Sequence, residues 1–121
     1  MRRDTTECET CVDRAPSELE LRPSLREHRQ PDTADAVTVA ALVGDPVRAG
    51  ILVILRDGPH CVCEMAAALD VRQNNLSNHL AKLRGAGLVR ASRHKADARW
   101  VYYERDEAAV AAASEALRQV L

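Results

Sequence analysis

The sequence predicts a small α+β fold that is mainly α-helical and carries one β-hairpin. Apolar residues recur at helical spacing in several segments, and glycine, proline and aspartate separate those segments. Two β-branched and aromatic runs near the C-terminus flank a short polar tip. The 121 residues suffice for one modest core. We expect a mobile arm over residues 1–32, where three prolines interrupt any long helix, and a folded domain over residues 33–121.

Five helices are expected in the folded domain. Their approximate extents, in chain order, are residues 35–43, 46–56, 61–69, 72–86 and 106–121. Asp45 is a good N-cap for the second helix, and Pro46 is a good first helical residue. In the fourth helix Gly87 stands where a left-handed C-terminal cap is needed. The residues predicted to face the core are Val47, Ile51, Ile54, Leu55, Met65, Ala66, Leu69, Leu76, Leu80 and Leu83.

The hairpin is predicted between the fourth and fifth helices. Residues 88–93 and 99–104 are rich in β-branched, aromatic and basic side chains, and the polar residues 94–98 lie between them. The order helix, short turn, helix and basic hairpin is that of a winged helix-turn-helix, whose second helix enters the major groove of DNA.

Charge and composition narrow the class of partner. Residues 72–105 carry eight cations against two anions, a net charge of +6 in a chain whose total is −1. A basic segment in an otherwise acidic chain is typical of a phosphate-binding face. No apolar run reaches the roughly 18 residues that a membrane helix needs. We therefore expect a cytoplasmic protein with double-stranded DNA as its partner and no membrane.

The predicted second helix of the helix-turn-helix begins near Arg72 and carries a dense polar face. Asn and Gln can pair with adenine in the major groove, while Ser, His and cations can reach bases or phosphates. The alternative is an ordinary solvated helix face. The predicted DNA contacts are Gln73, Asn74, Asn75, Ser77, Asn78, His79, Lys82 and Arg84 on the helix, and Arg93, Lys95 and Arg99 on the hairpin.

Four cysteines in two close pairs predict a metal site. In a reducing cytosol such cysteines are more often metal ligands or reactive thiols than structural disulfides. Residues i and i+2 of a helix point about 200° apart, but Cys61 at a capping position can turn its sulfur toward Cys63. The helix end is also expected to lower the thiol pKa. Adding Cys8 and Cys11 would complete a four-sulfur site for Zn(II) or another soft ion. The alternative is that Cys61 and Cys63 are small core residues.

Several stretches from about Val37 to the C-terminus resemble the ArsR/SmtB family of metal-sensing repressors. They are residues 42–48, the Cys61-Val62-Cys63 box with the two residues after it, residues 73–89 and residues 101–103. The third stretch contains Leu-Ser-Asn-His-Leu-Ala-Lys-Leu-Arg-Gly-Ala-Gly-Leu-Val. The resemblance implies a homodimeric winged helix-turn-helix repressor, paired through residues 35–43 and the last helix. Such a repressor binds two-fold operator DNA and releases it when metal binds.

The box together with the N-terminal cysteines is similar to the CadC-type branch of that family. The resemblance implies sensing of Cd(II), Pb(II) or Zn(II) by arm and box cysteines from opposite subunits. Arsenite or antimonite, held by Cys61, Cys63 and one arm cysteine, stays open as the effector, and so does a thiol-based redox switch. The last helix lacks the histidines of the family's second metal site. No Ser or Cys has an evident base partner, so we expect neither an enzyme nor a small organic substrate.

Overall fold

The computed structural model describes residues 32–93 and 101–121, and within them it confirms the predicted α+β winged helix-turn-helix. The elements are α1 (Ala34–Val43), α2 (Pro46–Ile54), a 3-10 turn (Leu55–Asp57), β1 (His60–Cys61), α3 (Val62–Leu69), α4 (Gln73–Gly85), β2 (Val89–Arg93), β3 (Val101–Arg105) and α5 (Glu107–Arg118). The predicted arm residues Cys8 and Cys11, the hairpin-tip residue Lys95, and Arg99 at the start of the second predicted strand lie outside the described residues.

The start of α2 has the predicted cap. Asp45 Oδ1 accepts hydrogen bonds from the backbone N–H groups of Val47 (2.8 Å) and Arg48 (3.1 Å), and Pro46 fills the first helical position. The hydrogen bond from the Arg48 backbone is the largest of the causes that lower the pKa of Asp45. The cap therefore stabilises both the first turn of α2 and the charged form of the carboxyl group.

The sheet has three antiparallel strands where the sequence predicted two. β2 and β3 form the expected hairpin, with Ala91 opposite Tyr103. The unexpected strand is β1, which pairs with the other edge of β3 so that His60 faces Tyr103 and Cys61 faces Tyr102. A two-residue strand is too short to show an alternating pattern, and its pairing depends on partners 43 and 41 residues away in the sequence.

Helices α3 and α4 end in the same kind of C-terminal turn. After α4, Gly87 has a positive φ of 82°, and the N–H groups of Gly87 and Leu88 donate to the carbonyls of Arg84 and Leu83. This is the predicted left-handed cap. After α3, Asp70 occupies the equivalent place with a φ of 55°, although a side chain makes this conformation less favourable.

The core lies among α2, α3, α4 and the first strand of the hairpin. Ile51, Met65, Leu76, Leu80 and Leu83 are each at most 1% exposed. The core positions predicted on α4 are thus confirmed. α2 and α3 also approach closely at Gly50, where an added Cβ would lie 2.6 Å from Leu69 Cδ2.

The pair α1 and α5 is packed less completely. The two helices contact each other, but the buried residues of α1 comprise Ala36 alone and α5 has none. An open groove of about 400 Å³, lined mostly by Ala, Val and Leu, runs between them. Within the described ranges no single helix is long and apolar enough to span a membrane. α1 and the segment Pro46–Asp57 meet that test only when taken together, across a bend of 87°.

Candidate metal and nucleic-acid site

The sulfur atoms of Cys61 and Cys63 converge at the beginning of α3. Cys61 is the N-cap residue, with an extended backbone (φ −92°, ψ 166°), and Cys63 lies in the first turn. Their Sγ atoms are 3.0 Å apart. The predicted geometry is therefore present, because the non-helical backbone of Cys61 removes the divergence expected of residues i and i+2 in a helix. Cys61 is 7% exposed, whereas Cys63 is open to solvent.

Glu64 completes the cap. The Cys61 backbone N–H donates to Glu64 Oε1 at 3.0 Å, and the Glu64 backbone N–H points at the Cys61 side chain, which gives a reciprocal capping box with sulfur as one acceptor. The hydrogen bond from the Cys61 backbone is the main cause of the lowered pKa of the Glu64 carboxyl group. The orientation of the Cys61 thiol is thus held by both hydrogen bonds.

The expected lowering of the thiol pKa is wrong for Cys61 in the metal-free chain. Burial is the largest cause and raises the pKa of this thiol, and the hydrogen bond with Cys63 raises it further. The Glu64 N–H works in the opposite direction, but the Glu64 carboxylate offsets that effect. Desolvation and neighbouring groups therefore outweigh the helix end, which was the only influence that the sequence revealed.

The two thiols can supply only part of a metal site. They are soft donors on one side of a helix end and therefore suit a soft ion. In residues 32–93 and 101–121 they are not joined by a third Cys, His, Asp or Glu in a group able to hold an ion. His60, the nearest histidine in sequence, places its Nδ1 2.8 Å from the Gly58 carbonyl oxygen. Cys8 and Cys11, the other two predicted ligands, lie outside these ranges.

The recognition helix α4 presents a polar face to solvent. Leu76, Leu80 and Leu83 hold its other face in the core, and its N-cap residue Arg72 makes no side-chain cap, as its side chain predicts. Most of the predicted DNA contacts on this helix are exposed. They are Gln73, Asn74, Asn75, Ser77, Asn78, Lys82 and Arg84. This face is therefore free to meet bases and phosphates.

The hairpin contacts the end of the recognition helix. The Arg84 guanidinium lies over the ring of Tyr103, 5.9 Å from its centre, and so links α4 to β3. Arg93, another predicted contact, is the last residue of β2.

The structure places His79 apart from the other predicted DNA contacts. Its side chain is 16% exposed, and its Nδ1 lies 3.0 Å from an Arg48 Nη1 and 3.9 Å from Asp45 Oδ1. The sequence alone did not predict this contact of Arg48. The one signal in the sequence was a cation shortly after the end of α1. A cation in this place can donate to the last helix carbonyls, which lack partners within the helix.

The comparisons with known proteins agree with this arrangement. Residues 45–91 match the family model described as bacterial regulatory protein, arsR family. The chain is 44% identical over 62 residues to the arsenic resistance transcriptional regulator ArsR1 of Pseudomonas putida. This match covers 50% of this chain and 46% of that protein. It is 48% identical over 50 residues to the HTH-type transcriptional regulator CmtR of Mycobacterium tuberculosis. This match covers 41% of this chain and 42% of that protein. The chain therefore spans about half the length of these curated relatives.

A solved structure matches over more of its length. The transcriptional regulator HlyU of Vibrio vulnificus is 33% identical, with a TM-score of 0.59, and the match covers 75% of this chain and 92% of that one. The similarity to HlyU includes elements on both sides of the helix-turn-helix.

Proposed function

The chain belongs to the ArsR/SmtB family of bacterial transcriptional regulators, and from this premise we propose that it is a homodimeric repressor that releases operator DNA when a thiophilic metal ion binds. Members of this family are regulators and not enzymes. The proposed effector is Cd(II) or Pb(II), with Zn(II) also compatible with sulfur ligands. The proposed place of action is the cytoplasm.

The observation that carries this proposal is the convergence of the Cys61 and Cys63 sulfurs at the start of the helix-turn-helix. Two thiols 3.0 Å apart offer one edge of a sulfur site, and Cys63 is exposed on the side from which further ligands can approach. We propose that Cys8 and Cys11, from the arm of the partner subunit, supply the remaining sulfurs. A bound soft ion would hold all four cysteines as thiolates, including Cys61 despite its raised pKa.

The DNA-binding half of the proposal rests on α4. Buried leucines fix one face of this helix, and its exposed amide side chains suit adenine in the major groove. Lys82 and Arg84, near the end of α4, and the basic hairpin would bind the phosphates on either side. Since the His79 side chain is only 16% exposed and contacts Arg48, we do not include it among the base contacts.

Metal and DNA would be coupled through Cys61. This residue ends β1 and caps α3, so an ion that changes its position acts on the sheet and on the helix-turn-helix together. Release requires that the ion prefer a dimer geometry in which the recognition helices no longer match the operator. By linkage, operator DNA must then weaken metal binding by the same factor.

The test is a set of four cysteine-to-serine substitutions, each made in reduced protein that is first freed of metal and then titrated with Cd(II). Cys61→Ser and Cys63→Ser should leave operator binding intact, because serine at position 61 is itself a good helix cap. Both should abolish the release of DNA by Cd(II). Cys8→Ser and Cys11→Ser should weaken metal affinity without changing DNA affinity. A Cys61 or Cys63 variant that still releases DNA at the parent's Cd(II) concentration would show that the box is not the sensor.

Arsenite or antimonite is the second candidate effector. The close thiol pair could provide two of the three sulfurs that a trivalent metalloid needs, and the similar protein from Pseudomonas putida is named for arsenic resistance. Titration of the reduced protein with arsenite, antimonite and Cd(II) in parallel, with DNA release as the readout, separates these effectors.

A thiol-based redox switch is the third candidate mechanism. The raised pKa of Cys61 leaves less of the reactive thiolate that oxidation needs. Release of operator DNA by a metal ion under strictly anaerobic, reducing conditions would exclude a mechanism that depends on oxidation alone.

A further inference from the structure

Arg48 connects three helices through its guanidinium group. Its Nε and one Nη donate to the carbonyl oxygens of Leu42 and Ala41 in the last turn of α1, at 2.5 and 3.3 Å. Its other Nη lies 3.0 Å from Nδ1 of His79 in the middle of α4. Arg48 itself belongs to the first turn of α2. One side chain therefore contacts the end of α1 and the recognition helix at once.

The chemistry of these contacts fixes their direction. The last carbonyls of a helix have no partners within it, so a guanidinium that donates to two of them satisfies groups that would otherwise need water. A guanidinium can only donate, so Nδ1 of His79 must accept and the ring proton lies on Nε2. Asp45 Oδ1, 3.9 Å from the same Nδ1, adds a negative charge beside the Arg48 side chain. The Arg48 guanidinium is thus matched by hydrogen-bond acceptors on α1 and α4 and by the negative charge of Asp45.

We propose that Arg48 and His79 form a latch that fixes the recognition helix relative to α1, so that both act as positioning residues for operator recognition. This inference rests on the proposed function. In a dimer paired through α1 and α5, the placement of α4 against α1 sets the separation of the two recognition helices. That separation must match half-sites about 34 Å apart, one turn of DNA. The latch would therefore determine which half-site spacing the dimer accepts.

The competing role for Arg48 is a direct phosphate contact. All three guanidinium nitrogens already have partners within the chain, and the side chain is only partly exposed. These two roles predict different dependences on salt. A phosphate contact adds about 0.9 to the slope of log affinity against log salt, whereas a positioning residue leaves that slope unchanged.

The experiment uses the full chain and a duplex that it selects from a random DNA library. Arg48→Met and His79→Leu each remove the latch and keep an apolar side chain of similar length. The matched control is Arg56→Met, which removes the charge of an exposed arginine in the 3-10 turn. Affinity for the selected duplex, for a scrambled duplex and for a duplex with one extra base pair between half-sites is measured over a range of salt concentrations.

For both latch variants we expect affinity for the selected duplex to fall about tenfold or more, the loss typical of hydrogen bonds from a charged group. The salt slope and the affinity for scrambled DNA should stay at the parent values, and discrimination against the longer spacer should decrease. The double variant should bind no worse than either single variant, because both remove the same contact.

Three results would overturn the latch. They are additive losses in the double variant, a salt slope that falls by one phosphate contact, and unchanged affinity in a variant that melts like the parent. If a latch variant fails to fold, the other variant and its salt slope still decide between the two roles. If the unmodified chain selects no duplex at all, the proposed function fails as well; if it selects one and Arg48→Met binds it equally, only the latch fails.

Discussion

The helix-turn-helix and the α1–α5 pair differ in how far one chain completes their packing. The helix-turn-helix, together with α2, has a closed core in which Ile51, Met65 and Leu76 are fully buried. In the second, α5 buries no residue completely, and Val37 on α1 and Val120 after α5 are 61% and 53% exposed. The helix-turn-helix therefore completes its packing within one chain, whereas the α1–α5 face keeps exposed apolar surface, on which we propose that a second copy packs.

The largest expected effect is on the closed core. Leu80→Ala should lower the free energy of unfolding by about 3 kcal/mol or more, because the side chain is 1% exposed and its removal leaves a cavity. Urea denaturation followed by circular dichroism measures this change. Leu121→Ala is the control, since Leu121 is 96% exposed and its change should stay within about 0.5 kcal/mol. Similar losses for the two variants would contradict a core closed within one chain.

The next largest effect is expected at the exposed apolar surface of the α1–α5 face. Val37→Glu should raise the dissociation constant of the proposed dimer about tenfold or more, because burying a carboxylate at a two-fold interface costs more than burying valine. Val53→Glu is a matched control on α2, because Val53 is 58% exposed. Sedimentation equilibrium measures both variants. Equal effects at the two positions would place the dimer contact elsewhere.

A smaller effect compares the two helix ends of the helix-turn-helix. Asp70→Gly should stabilise the chain by about 1 kcal/mol, because glycine tolerates the positive φ that Asp70 adopts. Gly87→Ala should destabilise it by about the same amount for the converse reason. Thermal melts of the two variants should therefore move in opposite directions. If Asp70→Gly melted below the parent, the aspartate side chain would have a stabilising role of its own in this turn.

The smallest effect concerns the start of α2, which joins the two halves. The pKa of Asp45 is lowered in the folded chain, so its charge contributes stability above the ordinary value of 3.8. That contribution is lost as pH falls through the lowered folded value. Asp45→Asn keeps a good cap but does not titrate, so its melting temperature should fall less between pH 5 and pH 3. If the melting temperatures of parent and variant fell equally with pH, the titration of Asp45 would not contribute to the loss of stability in acid.

Local features of the fold were predictable from sequence. The Asp45-Pro46 start, the buried leucines of α4 and the left-handed Gly87 all depend on residues within one or two turns of each other. The convergence of Cys61 and Cys63 belongs to the same class, because it follows from a capping position and a spacing of two.

Features that depend on distant parts of the chain were not predictable. The pairing of β1 with β3 joins residues 43 and 41 positions apart, and the contact of Arg48 with His79 joins residues 31 positions apart. The raised pKa of the Cys61 thiol likewise reflects burial by the folded chain. In each case the deciding neighbour comes from another element, and periodicity and spacing carry no information about it.

Membership of Cys61 in two elements has a consequence for amide hydrogen exchange. Its backbone lies opposite Tyr102 in the sheet, and its N–H is held by Glu64 at the start of α3. A ligand that orders this residue should slow exchange in the first turn of α3 and along β3 simultaneously, since local opening of either element must move the same backbone. Slower amide exchange along β3, measured without DNA, would then report that an ion has bound at Cys61, although β3 itself contains no cysteine.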